Sequence, residues 1–166
     1  MVISTKAQRQ SGDTAETTPV GQWLEGTPST DSVDAVLTHV LEHPSQSLSS
    51  AHIVATAKAF QQLADMCRAP DVRAQLASSA LAETSCALLQ RTAAGLERTE
   101  SRAEHVFLLV QLLRCICNQC ADTDAVRAQV LRFGGLEALA KVLAADEIRR
   151  QPVPVAQAAF GAVLNV

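Results

Sequence analysis

Two stretches, CRAPDVRAQL at residues 67–76 and CADTDAVRAQV at residues 120–130, decide how this sequence is to be read. Each opens on a cysteine, places an aspartate four positions later and continues, after a one-residue gap in the second, as Val-Arg-Ala-Gln and an aliphatic residue. The repeat distance of 53 to 54 residues exceeds the forty-odd usual for helical repeats. The polar insertion RTAAGLERTESRAE ahead of His105 accommodates the excess. The duplicated unit then reads as a long helix, a capped short helix, a turn of small residues and a further helix.

Outward from these stretches, the hydrophobic spacing supports the same unit. Ile53, Ala57, Phe60, Leu63, Ala64 and Cys67 follow a helical period from Ser50. The sequence RAPD stops that helix, and Asp71 caps a short one running to about Ala77. A third helix spans about residues 81–96, and the second unit places helices at about 103–120, 125–133 and 136–144 around the turn Gly134-Gly135. One more helix follows RRQPVPV as AQAAFGAVLNV to the last residue. Upstream, Val33, Val36, Leu37, Val40 and Leu41 predict a short amphipathic helix capped by Thr30 or Asp31 and closed by Pro44. Residues 1–29 are rich in Ser, Thr, Gly, Gln and Pro, with Trp23 and Leu24 as an adjacent bulky pair. Such a tail buries too little surface to offset its ordering entropy. Trp23 has two readings, loose packing on its own domain or docking to a partner.

Composition agrees. The hydrophobic fraction of 48% rests on Ala, Leu and Val, while aromatics reach only 3% and Tyr is absent, so helix formers dominate over strand formers. The expected fold class is all-α. A net charge of −3 provides none of the clustered Lys and Arg that nucleic acid or anionic lipid requires. The longest apolar run, Val106 to Leu113, is interrupted by Gln111 and too short to span a bilayer. The N-terminal MVISTKAQRQSGDT lacks the apolar core of an export signal. Five cysteines, an odd number with no scaffold spacing, then point to reduced thiols and a cytoplasmic or nuclear location.

Three of those cysteines, Cys115, Cys117 and Cys120, fall within six positions. On a regular helix Cys115 and Cys117 point about 160° apart, and Cys117 and Cys120 about 60°. They therefore do not converge on one metal, and small thiols pack well at helix crossings. Packing is the reading adopted. His39 and His43 are four apart but lack the glutamate of HExxH, while His52 and His105 stand alone. GxGxxG, GxxxxGK[ST] and GxSxG are all missing, which lowers the expectation of an enzyme and gives no cofactor.

The run LLRCICNQCADTDAVRAQVLRFGGLEALAKVL, Leu112 to Leu143, resembles an armadillo repeat junction. A long helix ends in Asn and small residues; an acidic turn, R-x-x-[VL]-x-x-x-G-G and L-E-A-L-x-x-[VL]-L follow. The resemblance implies a right-handed armadillo-like α-solenoid over residues 30–166, with repeats at about 50–96 and 103–145 and the opening of a third at 154–166. The ending QAAFGAVLN and the Cys-rich long helix are most similar to irregular armadillo proteins such as the GDP-dissociation stimulators of small GTPases, with ataxin-ten-like proteins as another relative.

The resemblance implies a non-enzymatic scaffold that binds another protein through a concave face. The expected partner is a small GTPase whose nucleotide exchange or prenylated tail it affects. The alternative is an assembly or trafficking adaptor with no GTPase partner. The face would comprise Lys58, Gln61, Asp65, Gln111, Arg114, Asn118 and Asn165. Asn118 and Asn165 occupy the position of the armadillo Asn ladder, but Asp65 stands there in the first repeat and no Trp lies one turn earlier, which argues against recognition of basic peptides. The final apolar helix predicts a further repeat beyond Val166, and self-association or a labile C-terminus for the chain alone.

Overall fold

The computed structural model describes residue 37 and residues 50–95, 102–145 and 154–166. Among them are seven helices and no strand. We label the helices α1 (Ser50–Met66), α2 (Pro70–Leu76), α3 (Leu81–Gly95), α4 (Arg102–Cys120), α5 (Asp124–Arg132), α6 (Gly135–Ala144) and α7 (Pro154–Asn165). The all-α class is therefore established. The order long, short, intermediate runs twice, as α1–α2–α3 and α4–α5–α6, before α7 opens the series again. Of the helix expected around residues 33–41 the structure describes Leu37 alone, which is helical and fully buried. The expected tail and Trp23 lie outside the described residues.

Local sequence accounts for the breaks between helices. Pro70 sits in the first turn of α2, where its missing N–H is no loss, and it holds Ala69 in the extended conformation that starts the helix. The cap expected at Asp71 is thus displaced by two residues: Ala69 is the N-cap, and Asp71 lies in the first turn beside the positive end of the helix dipole. At the start of α3 the buried Ser79 hydroxyl donates to the Leu76 carbonyl at 2.7 Å and accepts from the Leu81 amide at 3.2 Å. The α5–α6 corner turns through Gly134 at φ 72°, a left-handed conformation that costs glycine little. Gly135 begins α6 in close packing: a Cβ there would lie 2.8 Å from the Val130 carbonyl oxygen and 3.1 Å from Cys86 Sγ.

The core is organised on α4. This helix packs against α1 on one side and α7 on the other, and also against α3. Its residues Leu108, Leu109, Leu112, Leu113, Cys115, Ile116 and Cys120 are buried with Phe60 and Ile53 of α1 and Leu89 of α3. The intermediate helices meet in the same sequence, α3 against α5 and α6, and α6 against α7. A helix apolar on several faces needs such multiple neighbours. Each fully buried leucine contributes roughly 1.5 to 3 kcal/mol, so α4 carries the largest share of the packing energy.

Candidate protein-binding face

Aligning the long helices on Asp65, Asn118 and Asn165 sets Lys58 and Gln61 of α1 level with Gln111 and Arg114 of α4. The α1–α4 packing draws these positions together. Arg114 Nη2 reaches Asp65 Oδ1 at 2.7 Å across the two helices, and Arg114 Nη1 donates to Gln111 Oε1 at 2.7 Å along its own. Both charged groups are partly exposed, so the pair adds little stability and mainly fixes the guanidinium in place. Lys58, Gln61 and Asp65 are exposed, Arg114 is half-buried and Gln111 is buried. Asn118 is committed elsewhere: its Nδ2 donates to the Ala64 carbonyl at 2.7 Å. Asn165 sits one helix further on, its Nδ2 donating to Cys117 Sγ at 3.1 Å and to the Gly161 carbonyl at 3.0 Å. The seven residues thus divide into a polar strip, exposed at Lys58, Gln61 and Asp65 and half-buried at Arg114, and three amides, Gln111, Asn118 and Asn165, whose side chains are engaged by neighbouring groups.

The cysteines face different neighbours. Cys117, half-buried, meets α7 through Asn165. The buried Cys86 thiol donates to the Val130 carbonyl at 3.9 Å. Cys115 shares hydrogen bonding with Cys67 and Ser85; the bond to Cys67, with burial, pushes the Cys115 thiol well up. Cys67 moves down, because it accepts from Cys115 and lies near the Arg73 guanidinium, against the opposing effect of burial. Burial pushes Cys86 up to about 11, and burial together with the neighbouring Cys86 pushes Cys120 up to about 12. Thiols held protonated are poor nucleophiles and poor metal ligands. No group of three or more His, Cys, Asp or Glu among the described residues is arranged to hold a metal ion. His52 and His105 are half-buried, whereas His39 and His43 lie outside the described residues. No described helix is long and apolar enough to cross a membrane.

Two residues that the site reading passed over organise the junctions beside this face. Arg73 Nη1 donates to the carbonyls of Cys67 and Arg68, both at 3.0 Å, at the end of α1. Arg127 repeats the arrangement on α4, its Nε donating to the Cys120 carbonyl at 3.0 Å and reaching the Asn165 carbonyl of α7 at 2.9 Å. Arg73 also pairs with Asp122 at 3.6 Å. The last carbonyls of a helix lack partners and form the negative end of its dipole, so a guanidinium fork satisfies them well. Their signal in the sequence was the duplicated Val-Arg-Ala-Gln itself.

This architecture defines the class of the protein: an all-helical domain whose long helices are stapled at their C-terminal ends by side chains from neighbouring helices. The chain belongs to the BEM4-like N-terminal domain family, whose description is the BEM4 N-terminal domain and whose match covers residues 35–149, more than half of the chain and all of α1 to α6. No curated protein and no solved structure matches the chain.

Proposed function

We propose that this domain is an armadillo-like α-solenoid scaffold that binds another protein through the strip of Lys58, Gln61, Asp65 and Arg114, and that the partner is a small GTPase whose nucleotide exchange or prenylated tail it affects. The observation that carries the reading is the Arg114–Asp65 bridge of 2.7 Å. It joins positions one turn apart in the aligned long helices α1 and α4 into one polar surface, with Lys58 and Gln61 exposed beside it. Support for the repeat architecture comes from the recurring helix order and from two arginines that cap equivalent helix ends. The GTPase enters through the resemblance of QAAFGAVLN and the Cys-rich long helix to GDP-dissociation stimulators. Any such stimulation acts on the partner and needs no catalytic site in this chain.

The test is release of labelled GDP from a panel of small GTPases with and without the domain, paired with direct binding to each. Lys58→Glu and Gln61→Arg alter exposed side chains and should weaken the interaction at least tenfold with an unchanged melting temperature. Binding to a protein outside the panel, with no GTPase bound, would instead support the adaptor reading. Binding that neither substitution weakens would remove this strip from the proposal.

A further inference from the structure

One face of α1 holds two cations with no counter-charge among the described residues. Lys58, Gln61 and Asp65 are exposed at intervals of three and four residues, so they lie along one side of the helix. Arg68, also exposed, extends the line into the turn that follows; its amide donates to the Asp65 carbonyl at 3.3 Å and its carbonyl accepts from Arg73 at 3.0 Å. Asp65 is tied to Arg114 at 2.7 Å, whereas Lys58 and Arg68 form no ion pair among the described residues. The aligned positions are Gln111, Arg114 and Asn118 on α4 and Ala158, Gly161 and Asn165 on α7, which add no carboxylate. The strip therefore carries three cations and one anion, in a chain of net charge −3. The other exposed carboxylates among the described residues, Asp71, Glu83, Asp124 and Glu137, lie on α2, α3, α5 and α6, with Asp122 at the corner after α4.

We propose that this strip takes an acidic segment of the protein partner, lying along α1 with its carboxylates on Lys58 and Arg68; the inference rests on the protein-binding reading above and adds the partner's chemistry. Opposite charge is what such a surface selects. By the helical rise, positions 58 and 68 stand about 15 Å apart. An extended segment covers that span in about four to five residues at roughly 3.3 Å each. The groups between the two cations call for a peptide. Gln61 offers both donors and an acceptor, and Asp65 accepts through the oxygen that Arg114 does not engage, so the N–H and C=O groups of a peptide backbone pair with both. Phosphate groups bring no donor to Asp65 and are repelled by it. Nucleic acid and anionic lipid also require denser positive charge, for a membrane clusters of about four to eight Lys or Arg.

The test is a nuclear magnetic resonance titration of the ¹⁵N-labelled 166-residue chain with a Gly-Ser peptide carrying two glutamates five residues apart, beside its lysine counterpart. The glutamate peptide should shift the amides of residues 58–68, and the combined Lys58→Glu and Arg68→Glu substitutions should weaken it at least tenfold and admit the lysine peptide instead. Lys141→Glu removes the same charge from α6 and should leave the affinity unchanged. No shift along the strip overturns the proposal, as does an equal loss in Lys141→Glu, which would mark general charge attraction. Tighter capture of single-stranded RNA or phosphatidylserine vesicles by Lys58 and Arg68 also overturns it. Glutamate peptide on the strip with no GTPase bound by the domain sustains the acidic occupant and removes the GTPase. A GTPase whose binding is weakened by Gln61→Arg yet indifferent to both charge reversals does the opposite.

Discussion

Arg127 is where a single side chain does most to join elements. Its Nε serves the ends of both α4 and α7, while its Nη1 contact with Asp124 at 2.7 Å lies on an exposed carboxylate. Hydrogen bonds from a charged donor contribute about 1.5 to 3 kcal/mol, and exposed ion pairs less than about 1. We expect Arg127→Ala to lower stability by about 2 kcal/mol in urea denaturation, and Asp124→Ala by under about 0.5 kcal/mol. Equal losses would show that the ion pair, and not the carbonyl contacts, matters. The buried thiols give a pH prediction. In the unfolded chain Cys86 and Cys120 ionise near 9, while in the fold they stay protonated to about 11 and about 12. The folded state then binds more protons above pH 9, so stability falls as pH rises from there toward 12. Below pH 9 these two thiols contribute no slope. Melting temperature measured across this range should decline above pH 9, less steeply in Cys86→Ala than in wild type; parallel curves would refute the assignment. Residue identity alone foretold packing for these cysteines, because their angular spacing on a helix is fixed. It did not foretell that Asn118 and Asn165 would be engaged by neighbouring helices, since those bonds depend on which helix lies alongside.

At the scale of the elements, the duplicated motif and the period of the apolar residues placed all seven described helices to within about two residues at the ends that are described. The shifts have local causes: Pro70 moves the start of α2 ahead of Asp71, and Gly135 enters α6 instead of remaining in the turn. Which pairs of helices touch was less legible, because apolar periodicity identifies a buried face without naming its partner. The α5–α6 corner shows how two adjacent glycines serve separate ends. Gly134 is required by its φ of 72°, whereas Gly135 is required by space against Val130 and Cys86. Asparagine tolerates the left-handed region better than alanine does, and the left-handed conformation costs a side-chain-bearing residue roughly 1 to 2 kcal/mol. We therefore expect Gly134→Ala to destabilise by about 1 kcal/mol with Gly134→Asn recovering part of it. Neither change should rescue position 135, where Gly135→Ala forces the helices apart and costs about 2 kcal/mol or more. Denaturation of the three variants decides this: comparable losses for Ala at both positions, with no benefit from Asn at 134, would mean that the corner is looser than its packing indicates.

For the whole molecule, the position of α4 between its neighbours implies an uneven distribution of stability. Helix α4 buries five leucine or isoleucine side chains, Leu108, Leu109, Leu112, Leu113 and Ile116, against elements on several sides. Helix α7 buries only Val155, Ala159 and Ala162, against α4 and α6, and receives the Arg127 bond at its end. At about 0.8 kcal/mol per buried methylene-sized group, the small α7 side chains anchor it far less firmly than the leucines anchor α4. Opening α7 exposes little of the core, so it should detach in a local transition well below the free energy of global unfolding. Native-state hydrogen exchange should then give α7 amides an opening free energy several kcal/mol below that of α4 amides. Arg127→Ala should lower α7 protection by more than it lowers that of α1, because the lost carbonyl contact at Asn165 belongs to α7. Leu112→Ala, a truncation in the centre of the packing, should instead lower protection in α1, α4 and α7 together by about 2 to 5 kcal/mol. Matching exchange free energies in α4 and α7, shifted equally by both substitutions, would mean that the molecule opens only as a single unit and that α7 is held by more than the contacts it makes with α4 and α6.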